Sequence, residues 1–185
     1  MFIKIYDEIP QEAKAIRKSV FMKEQGFKDE FDETDHLAKH MLLFEDDIPV
    51  ATCRFFFSVE RDCYVIGRIA VSKEFRGKQY GEKMLQGAEK AVSDLGGKRV
   101  ELSAQCRVAE FYKKQGYMEL NDIHMDEDCP HTWMRKYPES GFCHRCQYQH
   151  LSIKQCKRLC PIRQYLQKSG RNCGKTVNCR KYAGG

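Results

Sequence analysis

Two stretches of this 185-residue chain combine residue types and spacings that could do chemistry. The first is Arg76-Gly77-Lys78-Gln79-Tyr80-Gly81, which follows the β-rich run Ile69-Ala70-Val71 and precedes a helical pattern. Glycines let the backbone turn so that successive N–H groups point at one anion. The helix that follows adds its positive N-terminal end, and Arg76 and Lys78 add charge. That arrangement suits a pyrophosphate, although a plain strand-to-helix turn with solvated basic residues would carry the same letters. The second stretch is Cys143-x2-Cys146 followed by Cys156-x3-Cys160. Two such pairs supply the four thiolates of a tetrahedral zinc site.

The elements that must position these residues follow from the pattern of apolar residues and turn signals. Phe2 to Tyr6 reads as a strand, and Gln11 to Gln25 as a helix with Ala13, Ile16 and Val20 on one face. Gly26 stops that helix, and Asp29 to Asp35 reads as a solvated acidic loop. His40 to Glu45 and Val50 to Val59 read as strands joined by a turn over Asp46-Asp47-Ile48-Pro49. Cys63 to Ser72 completes a meander. A helix runs from the glycine loop to about Leu95, where Gly96-Gly97 ends it. Val100 to Gln105 is a strand, Arg107 to Gln115 a helix, and Tyr117 to Leu120 and Thr132 to Tyr137 the last strands. The expected order is β-α-β-β-β-α-β-α-β-β, an α/β domain with a mixed sheet.

Composition sets the frame and divides the chain. The formal charge is +6, with 42% hydrophobic and 31% charged residues, which describes a globular protein rather than a disordered one. No run approaches the roughly 20 apolar residues of a membrane helix. The opening Met1-Phe2-Ile3-Lys4-Ile5-Tyr6-Asp7-Glu8 turns acidic too early for a secretory signal, so a cytoplasmic, reducing location is expected. There, ten cysteines point to metal ligation before disulfides. Residues 1–137 carry a net charge of −3 and residues 138–185 a net of +9, with six of the ten cysteines in the latter. The shift falls at Tyr137-Pro138 and reads as a boundary between a domain, 1–137, and a small basic cysteine-rich extension, 138–185.

The segment Ile69 to Gly81 resembles the cofactor motif of the GNAT N-acetyltransferase superfamily, whose pattern Arg/Gln-x-x-Gly-x-Gly/Ala is met here by Arg76, Gln79 and Gly81. Gln79 stands where the family has its central glycine. A second segment, Ala104-Gln105 followed by Phe111-Tyr112-Lys113-Lys114-Gln115-Gly116-Tyr117, is similar to the family's strand-helix-glycine-aromatic segment. Val20 to Phe27, Glu33-Thr34-Asp35-x-x-Ala38-x-His40 and His131-x-x-Met134 look like the YjcF-like or ElaA-like branch. The resemblance covers residues 1 to about 137.

It implies a GNAT fold, a mixed central sheet flanked by helices, and transfer of an acetyl group from acetyl-CoA to a primary amine. It further implies that Ile69, Ala70 and Val71 bind the pantetheine arm, that Arg76, Gly77, Lys78, Gln79, Tyr80 and Gly81 bind the pyrophosphate, and that Gln105 contacts the cofactor. Tyr112 matches the tyrosine near the thioester sulfur. A backbone N–H near Ala70 or Val71 would donate to the developing oxyanion. For the base, His40, Glu33, Asp35 and Glu101 all remain open, as does a water chain; His40 is the candidate of the right basicity. The acceptor, a small amine or a peptide, is left open. The rival class is a noncatalytic acyl-CoA-binding or metal-stabilised protein acting through its tail on nucleic acid or a protein partner.

The resemblance does not reach the extension. Its few large aliphatic residues can hardly form a core without a staple, and zinc on Cys143, Cys146, Cys156 and Cys160 would supply one. An iron–sulfur cluster, disulfides and free thiols are the competing readings. Three interleaved tyrosines and the +9 charge would suit nucleic acid, but no recognised module for it is present. If the zinc reading holds, elemental analysis should find one zinc per chain, lost in Cys143→Ser and kept in Cys53→Ser. Iron with acid-labile sulfide would assign the cluster instead.

Overall fold

A computed structural model of the chain describes residues 1–137, and Met1–Lys136 form one compact unit. The metal-ligand candidates Cys143, Cys146, Cys156 and Cys160 lie outside the described residues. Among the described residues no three His, Cys, Asp or Glu side chains converge as a metal site needs, and no helix is long and apolar enough to cross a membrane.

Seven strands make one sheet in the order β1-β2-β3-β4-β5-β7-β6. Strands β1 (Phe2–Tyr6), β2 (Lys39–Glu45), β3 (Ile48–Ser58) and β4 (Cys63–Val71) form an antiparallel meander. Strand β5 (Val100–Gln105) runs parallel to β4, then pairs with β7 (Cys129–Lys136), which pairs with β6 (Met118–Asp126). The turn between β2 and β3 is tighter than its composition suggests. Asp46 and Asp47 both take positive φ, 48° and 65°, the two-residue loop whose twist matches a hairpin. Pro49 therefore lies inside β3, opposite Phe44 at a register shift, where a missing N–H is tolerated.

Helices cover both faces. On one, α1 (Gln11–Arg17) buries Ala13 and Ile16, with Val20 just beyond, against Leu42, Phe44 and Ala70. The expected single helix to Gln25 instead continues as a π-helical stretch, Lys18–Glu24. Beyond Val20, Phe21 still packs against this core, but Lys23 and Glu24, one turn on from Val20, are exposed, so little burial holds an α-helical pitch there. On the other face, α2 (Tyr80–Asp94) buries Met84, Leu85, Ala88 and Val92 against the sheet's centre, and the short α3 (Ala109–Lys114) packs beside it. Gly96 ends α2 at φ 83°, with N–H bonds from Gly96 to Ser93 and from Gly97 to Val92. These are the two bonds of a Schellman cap. The last hairpin is longer than expected. β6 is an edge strand broken by a register shift at Glu119/Ile123, so its residues alternate poorly.

The acidic loop departs most from expectation. It is not a solvated loop: Glu30 and Asp35 are buried. Arg17, itself 1% exposed, bonds Glu30 Oε1 and Asp35 Oδ1 at 2.6 Å each. Arg54 forks onto both oxygens of Asp32 at 2.7 Å and reaches Asp35, while Arg68 reaches Glu30 Oε2 at 3.1 Å. The three acids are thus neutralised by three arginines from α1, β3 and β4. Burial works against the charge on Asp35, yet hydrogen bonds from Arg17 and Arg54 outweigh it and hold its carboxyl far below the usual range. For Glu30, burial wins over Arg68 and Arg17 and pushes the value up.

Removing the central cation should be severe. Arg17→Met leaves Glu30 with Arg68 alone and Asp35 with Arg54 as its remaining arginine, strips a charge-assisted bond from each buried carboxylate, and is expected to cost about 3–5 kcal/mol in chemical denaturation. Because Asp35 is depressed on folding, its contribution is complete above the unfolded carboxyl value near 3.8 and is lost as pH falls below it. The wild type should therefore lose stability below about pH 4, and Arg17→Met should lose less over the same range, as read by acid titration of the melting temperature.

Candidate active site

Strands β4 and β5 pair only at Tyr64↔Val100 and Val65↔Glu101. Beyond Val65 they part, and the gap is a cleft of about 450 Å³. One wall is β4 from Ile66 to Val71; the other is Leu102, Ser103 and Gln105 of β5 with Val108, Phe111 and Tyr112. Glu30, Phe27 and Gln25 come from the segment after α1, and Asp126 and His131 from the last hairpin.

The wall formed by β4 is bent by a bulge. Thr52 pairs with Ala70 and Arg54 with Gly67, so Cys53 opposes both Arg68 and Ile69. Arg68 takes φ 53°, a left-handed conformation that costs a side-chain-bearing residue roughly 1–2 kcal/mol. Its guanidinium is anchored on Glu30, so the buried ion cluster holds the strained turn in place. The bend carries β4 away from β5.

At the far end of β4 the glycine loop opens. Arg76 and Gly81 line the cleft, and Arg76, Gly77, Gln79, Tyr80 and Gly81 line an adjoining recess with Lys114 and Gln115. Gln79 is the residue that caps α2, at φ 61° and ψ 20°, with no side-chain bond to the helix N–H groups. The family's glycine position is thus left-handed here too, with glutamine bearing the strain. The first turn of α2 keeps its N–H groups free of side-chain caps at the recess. A Cβ on Gly81 would make only ordinary contacts, 3.6 Å to Phe111 and 3.8 Å to Val71, so alanine fits and a branched side chain does not fit without filling the cleft. The two cations are already partnered: Arg76 bonds Glu24 and the Val71 carbonyl, and Lys78 bonds Glu45. Lys78 lines neither cavity, and the Tyr80 ring sits in the core with its hydroxyl on Glu45, so Tyr80 offers the recess its main chain.

Ile69, Ala70, Val71, Gln105 and Tyr112 all come together in the cleft. Tyr112 is held edge-on between Phe111, 5.0 Å away, and Tyr117, 6.0 Å away. Burial pushes its phenol up to about 12, so the hydroxyl keeps its proton. The side chain of Gln105 is held at both ends: Nε2 donates to Gln25 Oε1 and Oε1 accepts from Arg107 Nε, both at 2.8 Å. This links β5 to the end of the first helical segment across the cleft.

His40 is not brought to the cleft. It is buried on β2 opposite Arg54, and its Nε2–H donates to the Asp35 carbonyl at 2.9 Å. Burial lowers its basicity, only partly offset by Asp35. Asp35 belongs to the ion cluster, and Glu101 is buried between Arg61 and Arg135 at 2.7 Å each; neither lines the cleft. The residues that sequence reasoning passed over are Glu30, Arg68, Asp126 and His131. His131 stood only as part of a motif; its pairing with Gln105 is a register fact that no local pattern carries.

Comparison with known proteins agrees with this architecture. The model of the acetyltransferase (GNAT) family matches residues 3–117. A Bacillus subtilis (strain 168) protein whose name places it among acetyltransferases is 33% identical over 131 residues, covering 68% of this chain and 88% of that one. ElaA of Escherichia coli (strain K12) is 28% identical over 126 residues, 65% of this chain and 82% of ElaA. The crystal structure of E. coli ElaA superposes with a TM-score of 0.64 at 24% identity, covering 73% of this chain and 99% of that one. An aminoglycoside 6'-N-acetyltransferase solved with coenzyme A shares the fold at a TM-score of 0.59 and 16% identity, over 74% of this chain and 97% of the other. A family model spanning well over half the chain, over the same sheet that splays at β4, settles the assignment: this chain belongs to the GNAT family of acetyltransferases.

Proposed function

We propose that the protein transfers the acetyl group of acetyl-CoA directly to a primary amine within the cleft between β4 and β5. The observation that carries this reading is continuity. One path runs from the uncapped N-terminus of α2, along the bulged β4, to Tyr112. The residues present fit the cofactor. The recess has free N–H groups and a glycine at the closest approach for a pyrophosphate, and β4 beyond Val65 has an edge unpaired with β5 for an extended amide-bearing arm.

In this reading Gly77, Gln79, Tyr80 and Gly81 present main-chain N–H groups to the pyrophosphate, with Arg76 beside it. Ile69, Ala70 and Val71 run along the pantetheine arm, and an N–H near Ala70 or Val71 meets the thioester oxygen as negative charge develops there. Tyr112 holds its proton for the departing thiolate. The reading of zinc on the four tail cysteines stands beside this as a separate proposal from the sequence.

Three substitutions test the assignment. Gly81→Val should weaken coenzyme A binding on the order of tenfold by calorimetry. Gln79→Gly should keep that affinity and stabilise the fold by up to about 1 kcal/mol, since glycine relieves the left-handed strain. Tyr112→Phe should lower kcat by about a hundredfold or more while leaving the acetyl-CoA affinity unchanged. Absence of coenzyme A binding in the wild type would remove the reading altogether.

A further inference from the structure

We propose that His131 is the base that takes the proton from the acceptor ammonium, with Nε2 as the accepting atom. This rests on the acetyl-transfer reading above. Among the cleft-lining residues, three side chains could accept a proton: Glu30, Asp126 and His131. Glu30 is occupied, with Arg17 on one carboxylate oxygen and Arg68 on the other. Asp126 sits where β6 turns into β7, and a carboxylate is a weaker base than an imidazole. His131 is left.

Its tautomer follows from its one hydrogen bond among the described residues. Nδ1 lies 2.9 Å from the carbonyl oxygen of Cys129. A carbonyl only accepts, so Nδ1 carries the hydrogen, and the neutral ring's lone pair is on Nε2. The ring is also fixed in orientation. The His124 ring lies 5.9 Å away at 30°, and Phe27 meets it edge-on at 6.5 Å. His124 is itself tied to Ser103 Oγ at 3.0 Å. His131 pairs with Gln105 across β5 and β7, level with the end of β5 that borders the cleft, and is only 6% exposed. A base that is oriented through one nitrogen, shielded from bulk water and part of the cleft wall is what proton abstraction requires. His40 shows the contrast. It too donates to a carbonyl, but it does so outside the cleft lining.

The step balances as follows. Nε2 takes one proton from R–NH3+, and the freed lone pair attacks the thioester carbonyl carbon. The C–N bond forms and the C–S bond breaks; the nitrogen gives up a second proton as the thiolate takes one from Tyr112, which is thereby restored. The products are the acetamide, the free thiol of coenzyme A and a proton on His131 that passes to solvent.

The charged and titratable groups facing His131 are His124 and Asp126 on β6, with Glu30 and Arg68 across the cleft. The experiment therefore uses His131→Gln with His124→Gln as control, benzylamine, spermidine and a lysine peptide as acceptor probes, and nitrogen-15 NMR of the imidazoles. The expected results are an Nδ1–H tautomer for His131 in the free protein, and for His131→Gln a kcat lower by about a hundredfold or more. That variant should also lose the limb of kcat/KM that falls in acid, with coenzyme A affinity and melting temperature near wild type, while His124→Gln keeps the limb. An Nε2–H tautomer would overturn the proposal even if no probe is acetylated. An active wild type whose acid limb survives in His131→Gln would overturn it too, leaving the acetyl-transfer reading intact. No turnover combined with no coenzyme A binding would overturn both.

Discussion

The parting of two parallel strands governs this molecule. Only two register pairs join β4 to β5, and the wedge they leave brings the end of β4, Gln105 and Tyr112 to one cleft. A sheet that stayed paired would bury the edge groups of β4 and close the cleft. The bulge at Arg68 keeps it open. It inserts a residue against Cys53, turns β4 and accepts a backbone conformation unfavourable to arginine. The strain is local, and its restraint is the ion cluster around Arg17.

That cluster also explains why the segment between the first helix and β2 can serve as a wall. Residues without regular pairing tend to be mobile, yet Glu30 contributes to the lining from a fixed position. Arg17, Arg54 and Arg68 reach it from three elements, so loop, helix and bulged strand form one electrostatic unit. The balance of three acids against three arginines leaves no net charge in the cluster for drawing in a cationic acceptor. Another buried carboxylate, Glu101, draws Arg61 and Arg135 together at the opposite end of β5, where the strands are still paired.

What could be read from the sequence was what is local in it. The glycine loop, the strand before it and the helix after it lie in one unbroken run from Cys63 to Asp94, and all three are where their letters placed them. The family pattern marked Gln79 as standing at a glycine position, but not that its backbone is left-handed. The base was not legible either. His40 has the right chemistry but sits on β2, whose residues from His40 to Phe44 are all buried, so alternation gave no hint of which face it served. The acidic loop was misread because its partners lie 13 to 38 residues away, and charge that looks excessive in a window is balanced in space. The edge strand β6, largely exposed and with apolar residues that do not alternate, carried too little periodicity to be traced beyond its start.

The Gln25–Gln105–Arg107 bridge has a consequence for how affinity accrues in the cleft. Each end of the Gln105 amide already holds one protein group at 2.8 Å, which fixes the plane of the amide and leaves one Nε2–H and one Oε1 lone pair in set directions. A ligand that accepts from the one or donates to the other gains its bond without first ordering a free side chain. The same restraint narrows what binds. A group that needs the amide turned over would set Nε2 against the Arg107 guanidinium, two donors together, and is rejected.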